Sequence, residues 1–370
     1  MSGIARQLVR LAERLGGSAT SRAAHARQIL IVMYHGVVDG HRDWSHWCQL
    51  PAQEFRWQIQ YLATHYEVLP LSDIIDRLTS GLPLPRNCAA ITFDDGLRNN
   101  FQVAWPILRE LNVPATMYVV TGCVGTDKLL WQDRLFVEMQ AFESQELHLA
   151  SHATGHFRWN TAVERDAAFE SLLGTLKQLP VEQKDLALAE VCRQTSAAGL
   201  QNPARRDFQL MTWEDAAEMQ ASGLIEIGPH TVTHELLSRL YDERVEQEIA
   251  VSCATVRSQL PASSPTFAFP NGTREDFDAR VFSALHQSGM SAAVTTVSGL
   301  NRRTQPLFEL KRVGIGSDMD RSQFRAEVSG LMDCLRQLKR TPDSQPRLEQ
   351  QTGDVVSPVE SHKPVPASSC

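Results

Sequence analysis

The sequence predicts an α/β fold with a parallel sheet or barrel, carrying a helical insertion. Three observations carry that expectation. Short apolar runs recur along the chain and end in polar residues or glycine, as the buried strands of parallel sheets do. Stretches with helical periodicity separate these runs, the rhythm of βαβ units. That rhythm stops after residue 125 and resumes near residue 206, and the interval is rich in Leu, Ala, Glu and Gln.

At the start of the chain, residues 1–28 read as a basic amphipathic helix. Arg6, Arg10, Arg14, Arg22 and Arg27 stand against one acid, Glu13, and Ile4, Leu8, Leu11 and Leu15 recur at helical spacing. Such a helix can make peripheral contact with an anionic membrane surface through residues 1–27. It can also dock on its own domain, the commoner use of an apolar helix face. It has no continuous apolar core of the kind a signal peptide needs. The run 28–36 is a buried strand delivering Tyr34 and His35 to its end. Residues 55–65 read as a helix, 67–69 as a short strand and 71–80 as a helix. Pro83 and Pro85 punctuate the approach to the next strand. That strand is the run 88–93, and it ends in Asp94, Asp95 and Gly96.

Residues 99–111 read as a helix that Pro106 either kinks or starts late, and 114–120 as a strand. The insertion, about 126–206, reads as two or three helices around a loop near 151–159. Its Trp131, Phe157 and Trp159 are candidates for one wall of a cleft. Thr212 with Asp215 three residues on is a helix-start signature. Strands are expected at 224–228, 265–272, 292–296 and 308–313, and helices at 243–259, 278–289 and 322–339. From residue 341 the composition turns to Pro, Ser, Gln and Glu, which cannot bury enough surface to order itself, so 341–370 reads as a disordered tail on a domain spanning 29–340.

Composition excludes some functions. Of 370 residues, 42% are hydrophobic and 21% charged, values of a globular chain. A net charge of −7 and a pI near 6.0 give no electrostatic footprint for nucleic acid. No run approaches the roughly 18 apolar residues of a membrane span. The seven cysteines are scattered without a C-x-x-C pair. Together with the missing export signal, they suggest reduced thiols and a cytoplasmic location, peripheral at the inner membrane face if the N-terminal helix binds there.

The chemistry concentrates in two places. Asp94 and Asp95 leave the end of an apolar strand, where ligand sites form in parallel α/β folds. Unpaired buried charge is costly, so they need a partner: a metal, a proton to be taken, or both. A helix start, with two acids favouring its dipole, fits the pair equally well on its own. His230 and His234 stand four apart after another apolar strand and glycine. On a helical turn both imidazoles would face one way. With a carboxylate as third ligand they would hold a metal and leave positions open for water and substrate. His152 and His156 repeat the spacing but follow no strand and glycine, and read as chance.

These motifs resemble the polysaccharide deacetylases of the NodB-homology family, carbohydrate esterase family 4. Thr92-Phe93-Asp94-Asp95-Gly96 is similar to the family's first motif and His230-Thr231-Val232-Thr233-His234 to its second. Phe267-Ala268-Phe269-Pro270-Asn271-Gly272 is similar to a variant third motif. The resemblance covers 29–125 and 206–330, and it implies a distorted (β/α)7-type barrel with a helical insertion. It implies Asp94 as general base, and Asp95, His230 and His234 as ligands of a divalent metal, with Zn2+ first and Fe, Co or Ni compatible with the same donors.

Two departures stand out. The family's late Leu-x-His, which supplies the general acid, is missing: after Gly272 only His286 and His362 remain, one mid-helix and one in the tail. Met33-Tyr34-His35 instead resembles the poly-N-acetylglucosamine deacetylases, where the acid comes from the first strand. That implies His35 as general acid, unless it is a structural histidine bonded to a loop carbonyl. The arginine of the usual third motif is also missing; Arg312 is a candidate replacement that orients Asp94, or else an ordinary ion pair.

The implied function is metal-dependent removal of N-acetyl groups from hexosamines of a surface polysaccharide or its lipid-linked oligosaccharide precursor. A deformylase or other N-acyl amidohydrolase is the alternative on the same scaffold, and a non-catalytic glycan-binding barrel the alternative from another class.

Overall fold

The computed structural model describes residues 3–44, 46–142, 145–150, 155–195 and 201–339; the predicted tail 341–370 and His152 lie outside the described residues. Its centre is a parallel sheet in which Val313–Gly314, Ile29–Tyr34, Cys88–Phe93, Ala115–Val119 and Ile225–Pro229 lie side by side. Thr266–Ala268 and Ala292–Val294 form a second parallel pair. The pair joins the sheet at both ends. Ser264 N–H donates to Ile227 O at 2.8 Å, and a parallel bridge links Val294 to Leu310 just before the Val313–Gly314 strand. These seven strands form the distorted (β/α)7-type barrel that the resemblance implies. The short strand Glu67–Val68 pairs outside this order with Cys88 and Ala89.

Ile29–Tyr34 and Cys88–Phe93 are buried at every residue. A strand covered on both faces must be apolar throughout, which is why these runs do not alternate. Leu30, Val32, Ile91 and Phe93 belong to one large core, Ile29, Ile31, Cys88 and Ala90 to a second on the other face. Tyr34 stays in the first core, its ring 5.2 Å from Phe55 and 5.4 Å from Phe93. All the described cysteines are free thiols.

Several elements differ from expectation, each for a local reason. The N-terminal segment is two helices, Gly3–Arg14 and Gly17–Ala24, because Gly16 takes a left-handed conformation between them. Val9 is buried against Ala326 and Met332, and Arg10 pairs with Asp320 at 2.8 Å, so the segment docks on the domain. The helix after the acid pair begins as a wide π turn, Asn100–Ala104, before Trp105–Leu111, and Pro106 sits in the first turn of the α segment. The wide turn before it accommodates the missing N–H. The expected strand 308–313 shrinks to Val313–Gly314, because the Asn301 side chain bonds both the N–H and the C=O of Lys311 at 2.8 Å and replaces a strand partner. The closing helix is broken into Arg321–Val328 and Leu331–Lys339 at Gly330, φ 78°.

The insertion holds the helices Trp131–Gln140, Ala162–Leu176 and Val181–Thr195. It also holds an antiparallel hairpin, Glu146–Leu149 with Gly155–Arg158, where no strand was expected. The signal was four residues of alternation: Leu147 and Leu149 are buried, and His148 between them is exposed. These elements build a core of their own around Leu135, Phe136, Leu172 and Val191. Cys48, Phe208 and Leu236 from the barrel loops complete it, so the insertion is sealed onto one end of the barrel.

Candidate active site

The strand ends position every residue of the two motifs. In register, Tyr34 pairs with Phe93, and Asp94 N–H donates to Tyr34 O at 3.0 Å. The next residue on each strand, His35 and Asp94, therefore emerges at the same barrel end. At Asp95 and Gly96 the backbone turns left-handed, φ 74° at both. Gly96 is needed there: a Cβ would lie 2.9 Å from Val119 Cγ1. The acids are thus not an ordinary helix cap.

His230 and His234 do not ride a helical turn. His230 follows its strand directly, and an irregular loop carries His234, with left-handed backbone at Thr231 (φ 65°) and His234 (φ 61°). A β-branched residue rarely adopts such a φ, and each such residue costs on the order of 1–3 kcal/mol. The buried Glu248 carboxylate offsets that cost by accepting from Val232 N–H, Thr233 N–H and the Thr233 hydroxyl at 2.7–2.9 Å. The Thr231 hydroxyl accepts from His234 N–H at 3.0 Å. The loop, not a helix, brings the two rings to 4.8 Å between centroids.

Asp95 completes the group. Its Oδ1 lies 3.6 Å from His230 Nε2 and 3.2 Å from His234 Nε2, yet Oδ1 makes no hydrogen bond of acceptable geometry. One ligand atom from each of the three buried residues lies within 4.8 Å of the others. The Nδ1 of His230 is 2.7 Å from Ala268 O, so it carries a proton, and Nε2 is the nitrogen that faces Asp95. Two imidazoles and a carboxylate converging without hydrogen bonding one another fit a divalent cation. Burial pushes the Asp95 carboxyl up, but His230 and His234 outweigh it and hold it well below the usual carboxylate range.

Asp94 has a different partner. Arg312, fully buried, donates from both terminal nitrogens to the two Asp94 oxygens at 2.7 Å, a bidentate pair. Its Nε donates to Thr295 O at 2.7 Å, and one terminal nitrogen also reaches the Thr92 hydroxyl at 3.2 Å. Burial raises the Asp94 carboxyl, the Arg312 charge and hydrogen bonds outweigh it, and the group is held ionised.

His35, Asp94, Asp95, His230 and His234 line one cavity of about 270 Å³. The His35 ring packs edge-on against Trp47 at 4.8 Å, its Nδ1 has no partner among the described residues, and Asn100 Nδ2 donates to its backbone carbonyl at 2.6 Å. Burial lowers the His35 pKa, while Asp95 and Asp94 act to raise it. Of the three aromatic residues expected at the cleft wall, Trp131 lines the cavity; Trp159 is buried against Phe142 and Phe157 packs on the same core. Sequence reasoning missed His46, Trp47, Asp133, Phe169 and Lys177, which also line it. They sit in the segment before the second strand and in the insertion, outside any motif. Asn271, with φ 57°, is at the rim and accepts from Lys177 Nζ at 2.8 Å.

Comparison with known proteins identifies the family. Among curated proteins, the chain is 25% identical over 144 residues to YxkH of Bacillus subtilis, named as a polysaccharide deacetylase, a match covering 39% of this chain and 48% of that protein. It is 33% identical over 75 residues to the poly-beta-1,6-N-acetyl-D-glucosamine N-deacetylase of Staphylococcus epidermidis, covering 20% of this chain and 26% of that one. The matches thus span half or less of these relatives. Among solved structures, the fold is similar to the Streptococcus pyogenes deacetylase PplD, TM-score 0.53 at 17% identity over 81% of this chain and 98% of that one. It is also similar to IcaB from Ammonifex degensii, TM-score 0.52 at 18% identity over 82% and 97%. The polysaccharide deacetylase family model matches residues 81–293, more than half of the chain and a span that holds both motifs. The chain belongs to the polysaccharide deacetylase family.

Proposed function

We propose that the protein is a metal-dependent hydrolase that removes N-acetyl groups from hexosamine residues of a surface polysaccharide or its lipid-linked precursor. The observation that carries this reading is the division of labour between adjacent acids. Asp95 faces two imidazoles, whereas Asp94 faces Arg312 and the same cavity. Asp95, His230 and His234 would hold the metal, zinc first among the candidates. Once bound, the metal supplies a Lewis acid that polarises the acetyl carbonyl and lowers the pKa of a water. Asp94, kept ionised and oriented by Arg312, takes the proton from the attacking water. His35, on the neighbouring strand end, delivers a proton to the departing amine. Membership of the family and the similarity to a poly-N-acetylglucosamine deacetylase favour an N-acetylated glycan over other amides.

The test is Asp94→Asn. It should retain the metal while acetate release from N-acetylglucosamine oligomers falls on the order of a hundredfold or more. Unchanged release would remove Asp94 from the mechanism. A panel pairing acetyl with formyl amino sugars separates a deacetylase from a deformylase. A non-catalytic glycan-binding barrel predicts glycan binding with no acetate released by the wild type.

A lipid-linked substrate is favoured by the N-terminal helix. Leu8, Leu11 and Leu15 remain exposed on its surface although Val9 is docked, and arginines flank them. Flotation on anionic liposomes with and without residues 1–27 tests this; equal binding by both would rule the contact out. No helix among the described residues is long and apolar enough to cross a membrane.

A further inference from the structure

The cavity contains a carboxyl that neither the metal group nor the Asp94–Arg312 pair uses. Asp133 lies in the first turn of the insertion helix Trp131–Gln140, only 3% exposed, and lines the cavity. Its Oδ2 has no hydrogen-bond partner among the described residues. The neighbouring Gln132 also lines the cavity, and its Oε1 is likewise buried and unpartnered. An acid in a first turn can favour the helix dipole. Yet Asp133 Oδ2 accepts from none of the free N–H groups there, so the dipole does not account for its burial. A buried acceptor without a donor is destabilising, and such groups persist where a ligand supplies the donor.

The helix start is held rigidly. Trp131 Nε1 donates to the carbonyl of His234 at 3.2 Å, tying the insertion to the metal-ligand loop. Lys184 Nζ sits 4.8 Å above the Trp131 ring and pairs with Glu235 at 2.6 Å. Leu135 and Phe136 root the same helix in the insertion core. Two acceptors without a protein donor therefore sit on a fixed element lining a cavity that also offers aromatic surface from Trp47, Trp131 and Phe169. The chemistry that matches is a ring with hydroxyl donors at its edge and C–H groups on its face.

We propose that Asp133 and Gln132 are sugar-binding residues, accepting hydrogen bonds from hydroxyls of the ring whose N-acetyl group enters the Asp95–His230–His234 site. The inference rests on the deacetylase reading and makes the insertion the element that recognises the sugar. It also fits the size of the cavity. At about 270 Å³ it falls just below the range of pockets for drug-sized ligands, so it suits a single sugar ring.

The experiment compares wild type with Asp133→Leu and with Gln132→Leu, the second at a partly exposed position that tolerates substitution if the first fails to fold. Acetate release is measured on N-acetylglucosamine and on N-acetylcyclohexylamine, an amide of similar shape without hydroxyls. The ratio of kcat/KM for sugar over surrogate should fall about tenfold or more in each variant, mainly through KM, as expected when a hydroxyl loses a buried acceptor. A parallel loss on both substrates, with the ratio kept, would mean a structural role and overturn the proposal. If the wild type releases no acetate from either, the deacetylase reading fails. The proposal is then read from calorimetric binding of N-acetylglucosamine: about tenfold weaker binding by the variants supports it, and equal affinity overturns it.

Discussion

Among the described residues, two groups of one carboxylate and two imidazoles lie close enough to share a cation: Asp95 with His230 and His234, and Glu146 with His148 and His156. The donor types are the same, and the surroundings are opposite. The first group is buried, stands on strand ends and left-handed backbone, and has an Asp95 oxygen that no hydrogen bond satisfies. The second sits on the insertion hairpin, where His148 and His156 pair directly across two strands with rings stacked at 3.9 Å. Its Glu146 already accepts from Arg158 at 2.9 Å and bonds His148, and these partners hold its carboxyl down at about 2. The difference teaches that proximity of ligand atoms is a weak criterion. Desolvation and backbone strain are costs that a fold carries where function requires them, and only the first group carries both.

The largest expected effect tests that asymmetry directly. Asp95→Ala or His230→Ala should lose the tightly bound metal, measured by elemental analysis after dialysis. Acetate release should fall on the order of a thousandfold or more, since a Lewis acid supplies several kcal/mol of transition-state stabilisation. Full metal content in Asp95→Ala would mean that the hairpin group, not the buried one, holds the ion.

Next comes the second buried acid. Arg312→Met leaves Asp94 charged and unpaired in the barrel, and removing one partner of a buried pair costs about 3–5 kcal/mol. Urea unfolding should register it. Adding Asp94→Asn should restore part of the loss, because the orphaned charge is then gone. A double variant no more stable than Arg312→Met would show that the arginine acts on the fold through Thr295 and Thr92 instead.

His35→Ala should be milder, lowering acetate release from N-acetylglucosamine about a hundredfold, the scale of one general acid. The loss should shrink on an acetate ester, whose leaving alcohol needs less help from a proton donor than an amine does. An equal loss on amide and ester would assign His35 to packing against Trp47 rather than to proton delivery.

Much of the barrel was legible because parallel strands buried on both faces must be apolar throughout, and because Asp94, Asp95, His230 and His234 stand at the ends of such runs. The geometry of the histidine pair was not legible. An i, i+4 spacing suggested a helical turn, whereas the distant Glu248 folds the loop by accepting from Val232 and Thr233. Arg312 was legible as a candidate partner of Asp94, but its bidentate geometry was not, since the strand between the two residues cannot be inferred from spacing. Asp133 was invisible: an acid in the first turn of a helix is an ordinary residue until the insertion core is seen to turn it inward.

The smallest expected effect belongs to the exposed group. His148→Ala removes a ring that is mostly in solvent, and its bond to Glu146 is replaceable because Arg158 and His156 remain within reach of the same carboxylate. Surface substitutions of this kind stay within about 0.5 kcal/mol, so the unfolding midpoint should hardly move. Metal content and acetate release should match the wild type. A fall in metal stoichiometry on His148→Ala, with the Asp95 group intact, would instead make the hairpin a second cation site. Exposure alone would then be no argument against a group whose ligand atoms are already gathered.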